Sequence, residues 1–560
     1  MIKYKEFPSN YKVRSTGWIQ DAANFNNLNA FVSLFYPKSN MFLEIDEKIK
    51  KILIECDAKK SYLEKTENGN FSFAYNDIVG KSPNSSRKTS TVCNGIGQAA
   101  LKGQKREFQG DWPTDNFLRW AETLQFLERD VTLDEYAITN KGIDYVTCHS
   151  EEEKNIILKN QLLHYSPAIQ ILKTLNDSDS SISKFDIGES LGFVGEKGFT
   201  SISCSLFVEK YFASNERERK KMKSDFEGSS DKYARQICSW LLKLKLVDKE
   251  IISYNSHEDR LELDGYKIST DGKEFLRKAK QNYVYIPFGM LSMSSKNKEF
   301  HCKQRALILK SLETSPKTLK QIFNELKSDE SFISDLESLN YYLSEFEIKS
   351  DIKSLKNIGI DIVANEDVYQ LKNRIIGLDI PRAIELGTLN EVEKIKNKLK
   401  NELEYINYDL LNIVDYSYSK KSSRIFEIYV AKVLEVIYEK VLLMGGPSKP
   451  DVVASDSKVT YIVDAKAYKD GFTLPIGEQD KMVRYIKEYL DKKGIWIDEL
   501  IEKDMYKSKE FTKFMFVSSS FKNLNNKLNL IESRTDGISG EALSAVDLLI
   551  LANTRLSINS

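Results

Sequence analysis

From residue 303 to residue 560 the chain contains neither histidine nor cysteine. A hydrolytic centre in that half has no imidazole base, no thiolate nucleophile and no nitrogen- or sulfur-rich metal site. It is left with carboxylates, lysine and a hard, oxygen-ligated cation. The six cysteines (Cys56, Cys93, Cys148, Cys204, Cys238, Cys302) stand at least 34 positions apart without a Cys-x-x-Cys pair. That spacing excludes structural zinc and a disulfide framework, and points to reduced, buried thiols. Proline (11) and glycine (26) are too sparse for a disordered chain of 560 residues that is 41% hydrophobic. No apolar stretch approaches the roughly 18 residues of a membrane span, and the best candidate, 545–552, is interrupted by Asp547. The first six residues carry no apolar run of signal-peptide type, so a soluble, cytoplasmic protein without a membrane partner is expected. Basic and acidic residues both number 82, a net charge of zero. A nucleic-acid partner would therefore be drawn by local basic patches rather than by the whole molecule.

At about 150 residues per domain the length implies three to four domains. Two stretches of the N-terminal half are alike. Trp120-Ala-Glu-Thr-Leu-Gln-Phe-Leu127 ends an apolar helix and precedes Tyr136-Ala-Ile-Thr-Asn-Lys-Gly142, while Trp240-Leu-Leu-Lys-Leu-Lys-Leu-Val247 precedes Tyr266-Lys-Ile-Ser-Thr-Asp-Gly272. A weaker third copy runs from Ile352 to Val368-Tyr-Gln-Leu371. An amphipathic helix, a hairpin and then Tyr-x-Ile-(Ser/Thr)-x-x-Gly predicts winged helix-turn-helix units. Such units place a helix in the DNA major groove or serve as protein–protein modules, and both readings stand for any one copy. Pro381 ends the third unit and opens a linker-like stretch.

The C-terminal part has another rhythm. Apolar residues at helical spacing fill 422–442, and Gly445-Gly446-Pro447 breaks the pattern. Residues 451–455 and 459–466 read as strands about a polar turn, 478–490 as a helix and 514–518 as a strand. This is an α/β sandwich pattern. Within it, Pro450-Asp451, Asp464 thirteen positions on, and Lys466 fit Pro-Asp…(Asp/Glu)-x-Lys. Asp464 and Lys466 are two apart on a strand and share a face. Pairing with the strand of Asp451 would bring two carboxylates to one divalent cation beside an ammonium, the set that phosphodiester hydrolysis calls for. The alternative is an ordinary surface pair on an edge strand.

Three segments of this region, Gly445-Gly-Pro-Ser-Lys-Pro-Asp451, Ile462-Val-Asp-Ala-Lys-Ala-Tyr468 and Leu474-Pro-Ile-Gly-Glu-Gln-Asp480 with Arg484-Tyr485, resemble the cleavage domain of the FokI-like type IIS restriction endonucleases. Gly17-Trp18-Ile19-Gln20, Phe117-Leu-Arg-Trp-Ala121, Gly198-Phe-Thr-Ser201, Glu227-Gly-Ser-Ser-Asp-Lys-Tyr-Ala-Arg235 and Arg305-Ala-Leu-Ile-Leu309 resemble that family's recognition half, in the same order. The likeness spans nearly the whole chain. It implies a multidomain α+β protein with N-terminal winged helix-turn-helix-like recognition subdomains at 1–150, 151–285 and 286–378, the third mainly for protein contacts. A linker at 379–389 and a C-terminal α/β PD-(D/E)xK nuclease domain at 390–560 follow.

The resemblance also assigns residues. Asp451, Asp464 and Lys466 become the catalytic set, with Asp451, Asp464 and the backbone carbonyl of Ala465 holding Mg²⁺. Asp480 and Arg484 become the contacts through which cleavage domains of two copies dimerise, against an intrahelical ion pair worth about 0.2–0.5 kcal/mol. DNA contacts fall on Gln20, Asp21, Arg87, Gln104 and Trp112 in the first subdomain, and on Ser224, Glu227, Lys232 and Arg235 in the second. Such side chains suit major-groove readout, although Glu227, Lys232 and Arg235 could equally brace a solvated helix. The family has Asn where Asp21 and Ser224 stand, and its gap between the Gln104 and Trp112 positions is longer. The implied activity is Mg²⁺-dependent cutting of double-stranded DNA downstream of a short asymmetric GGATG-like site, with a cognate methyltransferase as cellular companion. The rival readings are a winged-helix regulator with an inactive nuclease domain and a strand-specific nickase.

Overall fold

The computed structural model describes residues 2–559 apart from 9–10, 15–23, 82–90, 104–105, 194–203, 230–231, 257–258, 280–282, 294–296, 385–390, 420–421, 447 and 525. The chain forms two compact units, one of Met1–Leu339 with Leu343–Gly387 and one of Asn340–Tyr342 with Thr388–Ser560.

The first unit contains the same small fold three times. Helix Asp57–Glu67, strand Phe73–Ala74, helices Tyr75–Val79 and Asp111–Thr123 and the hairpin Leu127–Asp130/Glu135–Ile138 make the first copy. Helix Ser166–Asn176, strand Ile182–Ser183, helices Lys184–Ser190 and Lys232–Lys243 and the hairpin Val247–Ser256/Asp259–Ile268 make the second. Helix Lys298–Thr314, strand Lys317–Thr318, helices Leu319–Leu326 and Glu345–Asn357 and the hairpin Ile362–Asn365/Val368–Leu371 make the third. In each, the short first strand pairs antiparallel with the last hairpin strand, the sheet order of a winged helix. The repeated tyrosine lies inside the hairpin's second strand rather than after it. It is the residue on which the short strand registers: Phe73 opposite Tyr136, Ile182 opposite Tyr266, Lys317 opposite Tyr369.

The rest of the repeated motif has a local physical cause. The helix before each hairpin ends in one left-handed residue, Gln125 and Lys245 (both φ 60°) or Gly359 (φ 89°), which turns the chain sharply into the sheet. The hydroxyls of Thr139 and Ser269 donate to the carbonyls of Gln125 and Lys245 at 2.7 and 2.8 Å, and accept from the amides of Gly142 and Gly272 at 3.1 and 3.0 Å. Thr139 thus caps helix Asn140–Thr147 and Ser269 caps helix Thr270–Ala279. The glycines are required because a Cβ would lie 2.2 Å from the carbonyl oxygen of Phe126 or 2.0 Å from that of Leu246. The two repeat tryptophans, Trp120 and Trp240, pack edge-to-face with ring centroids 4.3 Å apart and join the first two copies. Residues 379–381, read from the sequence as the start of a linker, instead form a strand paired in parallel with Lys3–Lys5.

The elements that frame the second unit's sheet run α1 (Ser423–Ile437), β1 (Lys440–Leu443), β2 (Val452–Ser455), β3 (Thr460–Lys466), α2 (Ile476–Asp491), β4 (Thr512–Ser518), α3 (Lys527–Arg534), β5 (Gly540–Ser544) and α4 (Ala545–Asn559). One sheet, in the order β1-β2-β3-β4-β5, is antiparallel through β3 and parallel from β3 to β5. Val452, Ala454, Val463 and Ala465 face a core with α1 and α4. Val453, Ile462, Phe514 and Phe516 face a second core with α2. Because β3 is covered on both faces, Tyr461, Ile462 and Val463 run apolar without alternation. The helix expected over 422–442 stops at Ile437, where Tyr438 turns extended (ψ 151°), and Lys440–Leu443 becomes the edge strand β1.

Candidate active site

Side chains alternate along β3, so while Tyr461, Val463 and Ala465 go to the α1/α4 core, Asp464 and Lys466 share the face of Ile462. Val452 pairs with Val463, which sets Asp451, the residue before β2, beside Asp464. The Asp451 amide donates to the carbonyl of Val463 at 3.1 Å, and the Ala465 amide donates to Asp451 Oδ2 at 2.8 Å, fixing that carboxylate across the strand pair. Lys466 Nζ lies 2.8 Å from Asp464 Oδ1 and 3.6 Å from Asp451 Oδ2. The sequence-predicted trio therefore converges on one point at the end of the central strand.

Asp464 is 3% exposed, and its Oδ2 is buried without a hydrogen-bond partner. Burial, then the negative charge of Asp451, pushes its carboxyl up to about 8. Burial works against the Lys466 ammonium, yet the adjoining Asp464 and Asp451 carboxylates outweigh it and raise its pKa. Ionising both acids beside the single lysine would leave an excess of negative charge in a poorly hydrated place, which is why Asp464 holds its proton and why a cation bound there would favour its ionised form. Among the described residues no cluster of three or more Asp, Glu, His or Cys is arranged as a metal site. The fit thus rests on two hard oxygen donors, one of them carrying an orphaned buried oxygen.

Two neighbours escaped the sequence reading. Glu478, in the first turn of α2, sets Oε2 3.6 Å from Lys466 Nζ and also binds Lys481 at 3.0 Å. Glu427 on α1 pairs with Arg424 at 2.7 Å, and burial followed by the charge of Asp451 raises its pKa. No motif spacing marks them, because they reach the site from helices on opposite faces of the sheet. The only signal for Glu478 was an acid at a helix start soon after the strand.

Asp480 and Arg484, four apart on α2, do not bind each other. Asp480 accepts from Arg534 Nη2 at 2.7 Å and Arg484 lies 3.6 Å from Glu488. Both stay about half exposed (51% and 45%). Of the predicted DNA contacts, Gln20, Asp21, Arg87 and Gln104 lie outside the described residues. Trp112 is exposed near the start of helix Asp111–Thr123, eight residues before Trp120. Lys232 starts helix Lys232–Lys243, eight residues before Trp240, with Arg235 half-buried one turn on. Trp112 and Lys232 are thus the same position of the two repeats. Ser224 is exposed on helix Glu216–Ser229, which also carries Glu227, and the side chains of Glu227 and Lys232 lie outside the described residues.

Three family descriptions match the chain: the FokI recognition domain subdomain 1 over residues 14–148, subdomain 2 over 153–280, and the FokI cleavage domain over 389–558. The type II restriction enzyme FokI of Planomicrobium okeanokoites is 32% identical, over 96% of this chain and 95% of that protein. The chain belongs to the FokI family of type II restriction enzymes. A second member, the type II restriction enzyme StsI of Streptococcus sanguinis, is 27% identical over 93% of this chain and 89% of its own. The structure of FokI bound to DNA superposes with a TM-score of 0.75 at 30% identity, covering 98% of this chain and 97% of that one. A further FokI structure gives 0.76 at the same identity and coverage. Like the family, the chain carries its recognition subdomains N-terminal and its cleavage domain C-terminal. No described helix is long and apolar enough to cross a membrane.

Proposed function

We propose that the protein is a type IIS endonuclease that binds a short asymmetric, GGATG-like site in double-stranded DNA. It then hydrolyses phosphodiester bonds a fixed distance downstream with Mg²⁺, after the cleavage domains of two copies meet transiently through Asp480 and Arg484. The observation that carries this reading is the convergence of Asp451, Asp464 and Lys466 around a buried carboxylate oxygen that has no partner. Asp451, Asp464 and the carbonyl of Ala465 would hold the ion. Mg²⁺ there would supply Lewis-acid polarisation of the scissile phosphate and neutralise part of its growing charge. Asp451 is held ready by the Ala465 amide, and Asp464 by burial against the sheet. Lys466 keeps its proton and presents a positive charge where negative charge develops on the phosphate.

The reading gives recognition to the subdomains at 1–150 and 151–285, through Gln20, Asp21, Arg87, Gln104, Trp112, Ser224, Glu227, Lys232 and Arg235. The unit at 286–378 serves protein contacts and 379–389 joins it to the cleavage domain at 390–560. The equivalence of Trp112 and Lys232 at the starts of matching helices supports this, since winged helices read bases from that turn. Such an enzyme works in the cytoplasm beside a methyltransferase that protects the same site.

The test is plasmid cleavage with and without Mg²⁺, with Asp464→Ala as control. Double-strand cuts at one offset that need both Mg²⁺ and Asp464 are expected. Binding without Mg²⁺-dependent cutting would identify a regulator instead, and single-strand nicks alone a nickase.

A further inference from the structure

The segment that joins the recognition half to the cleavage domain leaves the first unit through residues 379–384, and those residues are tied down from two sides. Strand Asp379–Pro381 pairs in parallel with Lys3–Lys5, and the Arg382 amide donates to the Lys5 carbonyl at 3.3 Å. Lys5 binds Asp379 at 2.7 Å, and Arg382 binds Glu6 at 3.0 Å. The strand is itself fastened to the third winged-helix copy. The Ile2 amide donates to Glu313 at 2.8 Å, Tyr4 donates its hydroxyl to Asp329, and Lys310 stands over the Tyr4 ring at 4.3 Å. From the other side, fully buried Lys303 donates to the Arg382 carbonyl at 3.0 Å while paired with Asp335. Further along, the Val13 amide donates to Glu299 at 3.1 Å and Arg14 binds Asp134 of the first copy at 2.6 Å. Residues 2–6 with Val13 and Arg14 therefore strap the root of the joining segment to the body that reads DNA.

Ile2 and Ile380 are buried in the core, and the backbone and ion-pair ties add to that burial a fixed register for residues 379–382. We propose that the N-terminal strap is a positioning element of the cleavage reaction: it fixes the point from which the joining segment departs, and so sets the distance between the recognised site and the cut. The inference rests on the reading of the protein as an enzyme that cuts at a fixed offset. Geometry bounds its size. Each residue released into extended chain adds at most about 3.3–3.6 Å of reach, and one base pair spans about 3.4 Å along the duplex. Freeing residues 379–382 would extend the reach by no more than about four base pairs, and the residual tie from Lys303 keeps the change below that ceiling.

The experiment maps cut ends on both strands of a plasmid bearing one target site, using the full chain, a chain lacking residues 2–7, and the triple variant Tyr4→Phe/Lys5→Ala/Glu6→Ala. Hydrogen exchange of the amides of Asp379, Ile380 and Arg382 is followed in the same proteins, with gel-shift affinity for a duplex carrying the site. The unaltered chain is expected to cut at one dominant offset. The shortened chain should add cuts about one to three base pairs farther out, with faster exchange at Asp379, Ile380 and Arg382 and affinity changed less than threefold. If the shortened chain does not fold, the triple variant decides, with a smaller outward spread expected. Unchanged offsets in a folded strap variant whose Asp379, Ile380 and Arg382 amides exchange faster would overturn the inference alone, as would unchanged exchange. No fixed offset in the unaltered chain would overturn the underlying reading and the inference with it.

Discussion

Asp464 stands apart in the second unit because its carboxyl is buried beside another and only one of its oxygens is partnered. On the proposed reading, Asp464→Asn removes a metal ligand and a buried carboxyl that is costly to ionise. Cutting is expected to fall by several kcal/mol of transition-state stabilisation, about a thousandfold, while the metal-free protein melts at an equal or higher temperature. Plasmid cleavage and thermal melts with and without Mg²⁺ check both halves. Gly445 is a different case. At φ 67° a side chain is strained, and a Cβ would sit 2.0 Å from Arg424 Nη1. Gly445→Ala should cost about 1–2 kcal/mol in backbone alone and displace Arg424 from Glu427, which a melting curve with a cleavage assay would register. The acids and the lysine were legible in the chain because Asp-x-Lys on a strand shares a face by alternation. Glu478 and Glu427 were not, since their approach depends on where two helices pack.

The winged-helix copies were visible as Trp, Tyr-x-Ile and Gly at matching intervals, and each of these has a structural reason. The tyrosine registers the first strand, the hydroxyl caps the next helix, and the glycine lets that helix touch a backbone carbonyl. Gly272→Ala is therefore expected to destabilise the first unit by about 1–3 kcal/mol through overpacking, measured by chemical denaturation, with no change at the cleavage centre. The third copy lacks the capping glycine and was faint in the sequence, but its sheet order and its register on Tyr369 are the same. Backbone topology survived there while the local signal did not. Strands β1 and β5 went unread because the first continues a helical apolar pattern and the second is short and half-buried.

At the scale of the molecule, pH acts on how the first unit is held together. The ring of His164 stacks on Tyr283 at 3.8 Å between centroids, and its Nδ1 lies 3.0 Å from the Tyr283 carbonyl, which can only accept. Burial lowers its pKa below the ordinary 6.5. The unfolded chain therefore takes up this proton more readily than the folded one. The associated stability is present above about pH 6.5 and is lost as pH falls through that value toward the lowered one. His164→Gln should flatten the dependence of denaturation midpoint on pH between about 5 and 7. Dimerisation through Asp480 and Arg484 predicts a cleavage rate rising faster than linearly with enzyme concentration on a one-site substrate. Arg484→Ala should bring that order back toward one, and a linear rate unaffected by the substitution would end the dimer proposal.

Residue spacing by itself put Asp464 and Lys466 on one face of a strand and marked two winged modules with a fainter third, because strand alternation and helix–turn–strand signatures are local properties of the chain. Only the tertiary structure decided that Asp451 meets Asp464, that Asp480 turns to Arg534 rather than Arg484, and that residues 379–381 join a strand begun at Lys3. Those outcomes depend on packing between segments up to hundreds of residues apart, for which no local pattern carries the information.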